Sequence, residues 1–186
     1  MFSMRNLTVC GIFLILIAGS SLSQAAVLAP DWALASPEGE VTRLSAEVRQ
    51  QPVVMFFWAT WCPYCKALMP HLQSIRLEYG DKVKILAINF IEKRDPVKFI
   101  RDRAYDFTVL PKGEEVASMY GIYGTPGVIL VDQGQQIRFD LRELPPLMPS
   151  GGKMPGSNKK KAAFLAPYWA AELRKSIDAV IEKSTE

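Results

Sequence analysis

Cys62 and Cys65 stand three positions apart in the run Phe57-Trp58-Ala59-Thr60-Trp61-Cys62-Pro63-Tyr64-Cys65-Lys66. Two thiols at this spacing can share a disulfide, supply two soft metal ligands, or carry haem when a histidine follows the second. Lys66 occupies the place of that histidine, so haem attachment is rejected. Tetrahedral zinc needs two further ligands. His71 is the one histidine of the chain and reads as a helix-flank residue, while Cys10 lies far upstream. No metal site is therefore expected, although copper transfer through the two thiols alone stays open. An inert structural disulfide is a poor reading, because so small a loop restricts the unfolded chain little. Thiol–disulfide exchange asks for no more than the pair: one thiolate to attack and a second thiol to resolve.

The elements around the pair assign those roles. Val53-Val54-Met55-Phe56-Phe57-Trp58 is too short to span a membrane, and its β-branched and aromatic content suits a strand buried on both faces. Tyr64, Leu68, Leu72, Ile75 and Tyr79 then share one face of a helix expected from Pro63 to Tyr79. Pro63 falls in its first turn, where a missing N–H costs nothing, and Pro70 should kink it. Cys62 thus sits where a strand gives way to a helix, close to unpaired N–H groups and the positive end of the helix dipole, which favour a thiolate. Cys62 is expected to be the nucleophile and nearer to solvent, with Cys65, one turn in, more buried. Pro63 and Tyr64 set the local geometry. Trp58 and Trp61 should pack under and beside the sulfurs, and Trp61 is also a candidate substrate contact.

A chain of 186 residues is long enough for one ordinary domain with a real core. Its net charge of +3 is too small and too dispersed to argue for nucleic acid. Residues 1–25 read as an export signal: Arg5 precedes the apolar run Leu7 to Ala18, and Ser23-Gln24-Ala25 fits a cleavage site. The alternative is an uncleaved membrane anchor formed by residues 7–18, for which the run is short. Either way the folded part would lie in a periplasmic or other extracytoplasmic, oxidising compartment.

The remaining elements follow in order. Val41 to Leu44 alternates like a short strand, and Ser45 could cap a brief helical turn through Val48. Val83 to Phe90 is a second buried strand, and strand–helix–strand implies a parallel pair with a right-handed crossover. Asp95-Pro96 starts a helix with Val97, Ile100 and Ala104 inward; Glu114 to Tyr120 is a shorter helix ending at Gly121. Val128 to Val131 is a strand, and Ile137, Phe139 and Leu141 alternate on an antiparallel partner. Leu144 to Lys161, rich in Pro and Gly and closing on three lysines, reads as a long loop, solvated or partner-binding. A last helix starts near Pro167, with Trp169, Leu173, Ile177, Val180 and Ile181 as its apolar stripe.

With these motifs in place, the chain resembles the thioredoxin-fold proteins, and more closely the exported TlpA/ResA-like thiol–disulfide oxidoreductases. The resemblance rests on Ala29-Pro30-Asp31-Trp32-x-Leu34, on the Trp-Cys-x-x-Cys run, on Pro70 five residues after Cys65, and on Tyr120-Gly121-Ile122 with Gly124-Thr125-Pro126. It implies an α/β thioredoxin fold: a central mixed β-sheet flanked by helices over residues 26–186, with an N-terminal extension and the loop insertion 144–161 before the last helix. It implies a cis Thr125-Pro126 bond beside the cysteines, and a substrate surface made by Trp61, Pro63, Tyr64, Thr125 and Pro126. It also implies a reductase of disulfides in exported proteins, recharged by a membrane thiol reductant, with cytochrome c or copper-site maturation as its setting. No cofactor is called for beyond the Cys62–Cys65 disulfide. The same site run backwards would oxidise or isomerise; a copper chaperone or a thioredoxin-fold adaptor are the non-enzymatic alternatives. A peroxiredoxin-like peroxidase, which shares the fold, is disfavoured by the cysteine pair.

Two departures from that family stand out. Thioredoxins carry a buried aspartate six residues before the first cysteine, where this chain has Phe56. ResA-like proteins carry a glutamate three residues after the second cysteine, where this chain has Leu68. Cys65 must therefore give up its proton to water, to backbone or to the Cys62 sulfur.

Overall fold

The computed structural model describes residues 27–183; the export-signal reading of residues 1–25 lies outside the described residues. Five strands form a mixed sheet in the order β5–β4–β3–β6–β7. Its centre is β3 (Val53–Trp58), every residue of which is buried. β3 pairs in parallel with β4 (Lys84–Asn89) and antiparallel with β6 (Gly127–Val131). β5 (Thr108–Leu110) extends the parallel side, and β7 (Ile137–Asp140) the antiparallel side. A separate hairpin of β1 (Ala33–Ala35) and β2 (Val41–Arg43) belongs to the N-terminal extension.

Side chains of β3 alternate between two cores, as period-2 geometry requires. Val54, Phe56 and Trp58 face α2 (Pro63–Tyr79) and α5 (Asn158–Lys183), together with Leu68, Leu72, Leu173 and Ile177. Val53, Met55 and Phe57 face the other way, onto Trp32, Leu44 and Val48 from the extension and α1 (Leu44–Val48), and onto Val116 and Tyr120 at α4 (Glu114–Met119). A strand covered on both sides carries no polar face, which is why the β3 sequence is apolar throughout. The extension is pinned by Tyr120, whose hydroxyl donates to Pro30 O at 2.6 Å. Asp31 also holds it, accepting from the Ser45 N–H at 2.9 Å and hydroxyl at 3.0 Å.

Several expectations change here. Ser45 is not a side-chain cap for α1; Arg43 holds that position and the Ser45 hydroxyl is turned to Asp31. β5 went unread because three residues beside Pro111 give no period to detect. α3 (Pro96–Arg101) is capped by Asp95 as expected, but it ends before Ala104, which is exposed at φ +53°. Leu141 is buried in a 3₁₀ turn just past β7 rather than on the strand. α2 spans Pro63–Tyr79 as expected, with Pro70 inside it and exposed.

The largest change concerns α5, which begins at Asn158, well before Pro167. Ala162, Ala166 and Ala170 continue the buried stripe of Leu173, Ile177 and Val180 upstream. Small residues at four-residue spacing give the helix a buried seam with little hydropathic signal. Pro167 lies on the exposed side of that seam. The loop after β7 therefore ends at Ser157, and Lys159, Lys160 and Lys161 belong to the first turn of α5.

Gly113 marks where α4 meets the sheet. Its N–H donates to Asn89 O at 2.9 Å, and a Cβ built there would lie 2.3 Å from Ile88 Cγ2. Ile88 is fully buried and β-branched, so it cannot swing away. Gly113→Ala is expected to cost about 1–3 kcal/mol by overpacking, read as a lowered urea midpoint at unchanged m-value.

Candidate active site

β3 ends at Trp58, and Ala59, Thr60 and Trp61 carry the chain to the first turn of α2. Cys62 is the N-cap of α2, with φ −73° and ψ 116°, and Pro63 occupies the first helical position. The Cys62 sulfur does what a serine or aspartate oxygen does at other helix starts: it accepts the backbone N–H of Cys65, at 3.1 Å. Both cysteines are free thiols.

Both sulfurs are buried, Cys62 at 1% and Cys65 at 0% exposure, with Cys65 the deeper of the two. Electrostatics separates them further. A hydrogen bond from the Cys65 thiol, opposed by burial and helped by the Thr125 hydroxyl and the N–H groups of Cys65 and Tyr64, lowers the Cys62 pKa to about 6. Burial, donation to Cys62 and the charge on Cys62 push the Cys65 thiol far upward. At neutral pH the pair therefore holds one thiolate on Cys62 and one proton on Cys65.

Thr125 and Pro126 come to the pair just ahead of β6, the strand beside β3, and their peptide bond is cis. Thr125 Oγ1 is buried with no hydrogen-bond partner among the described residues. Its hydroxyl dipole favours the thiolate form of both sulfurs. The other implied substrate residues divide. Pro63 is half-buried in the first turn of α2. Tyr64 turns onto α5, its ring 6.1 Å from that of Trp169 and its hydroxyl 3.5 Å from Asn158 Oδ1. Trp61 is about half exposed, and its indole N–H donates to Ile91 O at 2.9 Å. Trp58 lies beneath, stacked on Phe56 and tilted against Phe99.

Neither absent carboxylate is replaced nearby: Phe56 and Leu68 are both buried in the apolar core. Glu92 holds a different post. Its carboxylate accepts from Thr60 N (2.6 Å), Thr60 Oγ1 (2.9 Å) and Asn89 Nδ2 (3.2 Å), and from the N–H groups of Lys93 (2.8 Å) and Arg94 (3.0 Å). Those donors keep it below the usual carboxylate range despite its burial. Glu92 thus ties the loop before Cys62 to the end of β4 and stays ionised, which disqualifies it as a store for the Cys65 proton. No local motif announces this role; only the parallel pairing of Trp58 with Asn89 brings Glu92 under Thr60. His71 is half-buried on α2 near Arg174, and no cluster of three metal-ligating side chains occurs among the described residues.

The comparisons with known proteins agree with this geometry. The model of the AhpC/TSA family matches residues 26–140. The chain belongs to that family. Within it, the chain is 35% identical over 124 residues to the thiol–disulfide oxidoreductase ResA of Halalkalibacterium halodurans, covering 64% of this chain and 69% of the relative. It is 31% identical over 109 residues to the thioredoxin-like protein YneN of Bacillus subtilis, covering 56% of this chain and 64% of that protein. Among solved structures, a Chlorobium tepidum protein assigned as the thiol:disulfide interchange protein DsbE superposes with TM-score 0.63 at 23% identity, over 84% of this chain and 96% of its own. StoA of Bacillus subtilis superposes with TM-score 0.51 at 26% identity, over 62% and 88%. This confirms the thioredoxin fold, with a mixed sheet flanked by helices, and the resemblance to ResA-like proteins.

The asymmetry of the pair has a direct readout. Iodoacetamide should alkylate one thiol with a rate that rises with pH through a midpoint near 6 and levels off about one to two units above it, whereas an ordinary cysteine is still gaining past about 8.5. Mass mapping should place the label on Cys62. Thr125→Val removes a donor to the thiolate, so the midpoint should move upward; an unmoved midpoint would show that the hydroxyl plays no part.

Proposed function

We propose that this chain is an exported thiol–disulfide oxidoreductase that reduces disulfides in exported proteins. The observation that carries the reading is the pair of free thiols at the start of α2, with the Cys62 sulfur at the N-cap accepting the Cys65 N–H. A thiolate beside a retained thiol is the reactant needed for a two-step exchange.

The Cys62 thiolate attacks one sulfur of a substrate disulfide; that bond breaks, the leaving thiolate takes a proton, and a Cys62–substrate disulfide forms. Forming this bond removes the negative charge from Cys62, and with it the charge repulsion and hydrogen bonding that hold the proton on Cys65. Cys65 then loses its proton and attacks the Cys62 sulfur, releasing the second substrate thiol. The substrate gains two electrons and two protons, and the Cys62–Cys65 disulfide closes. With Phe56 and Leu68 in place of carboxylates, water and the departing substrate thiolate are the bases left for the Cys65 proton. The pair itself is the redox group. A dithiol reductant at the membrane would recharge it, and cytochrome c or copper-site maturation is the setting the family resemblance suggests.

Export is read from residues 1–25, and anchoring by residues 7–18 is its variant. Among the described residues no helix is long and apolar enough to cross a membrane. The lowering of the Cys62 pKa bears on the direction of transfer. Stabilising the thiolate stabilises the reduced form and makes the disulfide more oxidising.

Two measurements decide the matter. Cys65→Ser should accumulate a mixed disulfide on Cys62 that reducing agent releases, and Cys62→Ser should bring insulin reduction down to the uncatalysed background. The potential of the pair in a glutathione buffer should fall between about −270 and −120 mV, the thioredoxin and DsbA values. A value at the DsbA end would replace the reductase with a disulfide-forming oxidant.

A further inference from the structure

Beside Cys62 lies a cleft of about 430 Å³ lined by Trp61, Ile91, Glu92, Lys93 and Arg94. Its apolar wall is displayed at a cost. Ile91 is β-branched yet sits at φ +54°, a region such residues rarely adopt, with 48% of its surface exposed. Both of its backbone groups are engaged: its N–H donates to Glu114 Oε1 at 3.0 Å, and its carbonyl accepts the Trp61 indole at 2.9 Å. That clamp holds Ile91 and Trp61 side by side, half in water, next to the nucleophile.

The rim carries both signs of charge, but only its cations are free. The acids keep their charge and are held by the protein's own donors: Glu92 by Thr60, Asn89 and two backbone N–H groups, Asp95 by the N–H of Lys98, and Glu114 by the N–H of Ile91. Lys93 and Arg94 are exposed, and neither enters an ion pair among the described residues, although nine such pairs form elsewhere. Lys66, directly after Cys65, is likewise without an acid and lies over the Phe99 ring.

We infer that this cleft docks a polypeptide segment carrying an apolar side chain and carboxylates beside its disulfide cysteine. The inference rests on the exchange reading above and names its substrate class. The apolar side chain covers Trp61 and Ile91, and the carboxylates meet Lys93 and Arg94. Complementary charge of this kind raises the encounter rate and fixes the register of the partner more than it adds raw affinity, and salt screens it.

The test uses the full reduced chain and three disulfides: two peptides that share a Cys-Leu core, one flanked by aspartates and one by lysines, and hydroxyethyl disulfide as a small neutral probe. At low ionic strength the acidic peptide should be reduced about tenfold faster than the basic one, and the ratio should fall toward unity in 0.5 M salt. The double variant Lys93→Glu, Arg94→Glu should invert the ratio. Lys82→Glu, at the opposite end of the sheet, should leave it as it was. Equal rates for the two peptides, or a ratio untouched by the double variant, overturn the docking inference while turnover of hydroxyethyl disulfide keeps the exchange reading. Failure to reduce any of the three overturns both.

Discussion

The hydrogen bond from the Cys65 backbone N–H to the Cys62 sulfur is the contact on which the rest of this structure turns. It is at once the cap of α2 and a stabiliser of negative charge on the nucleophile. A sulfur is a weak acceptor while protonated and a good one when ionised, so the helix start and the reactive state of Cys62 reinforce each other. Pro63 at the next position removes an N–H that would otherwise have sought a partner.

Holding that cap in place takes both cores. β3 is fixed by burial on two faces, so the point where it ends cannot slide without turning Phe56 and Trp58 into the wrong core. Glu92 then fixes the short connection between strand and helix by gathering the Thr60 N–H and hydroxyl. Removing charge from the core beneath the sulfurs, through Phe56 and Leu68, and placing it under the preceding loop, through Glu92, makes this site differ from a thioredoxin in how it moves a proton. The cysteines lie in an apolar setting, where burial first, then the hydrogen bond to Cys62 and its charge, raise Cys65.

α5 adds a second support. Its early start brings Asn158 and Trp169 against Tyr64, which braces a half-buried ring between the cysteines. Trp61, swung toward Ile91, remains on the surface. The dipeptide between the cysteines is thus supported by the helix behind it, and Trp61 by the loop after β4.

The sequence by itself determined the elements whose signals are local: the all-apolar β3, the helical period of α2, the Asp95-Pro96 start of α3 and the cysteine spacing. Burial, helix period and capping are written in neighbouring residues, so these could be read in order, and the motifs together identified the family. Tertiary structure alone decided the rest. An alanine seam has too little hydropathy to announce the first turns of α5, and three residues of β5 have no period. Glu92 reaches Thr60 only because parallel strands align Trp58 with Asn89. The ranking of the two sulfurs likewise came from the fold: the deeper burial of Cys65, Thr125 from the start of β6, and each cysteine for the other.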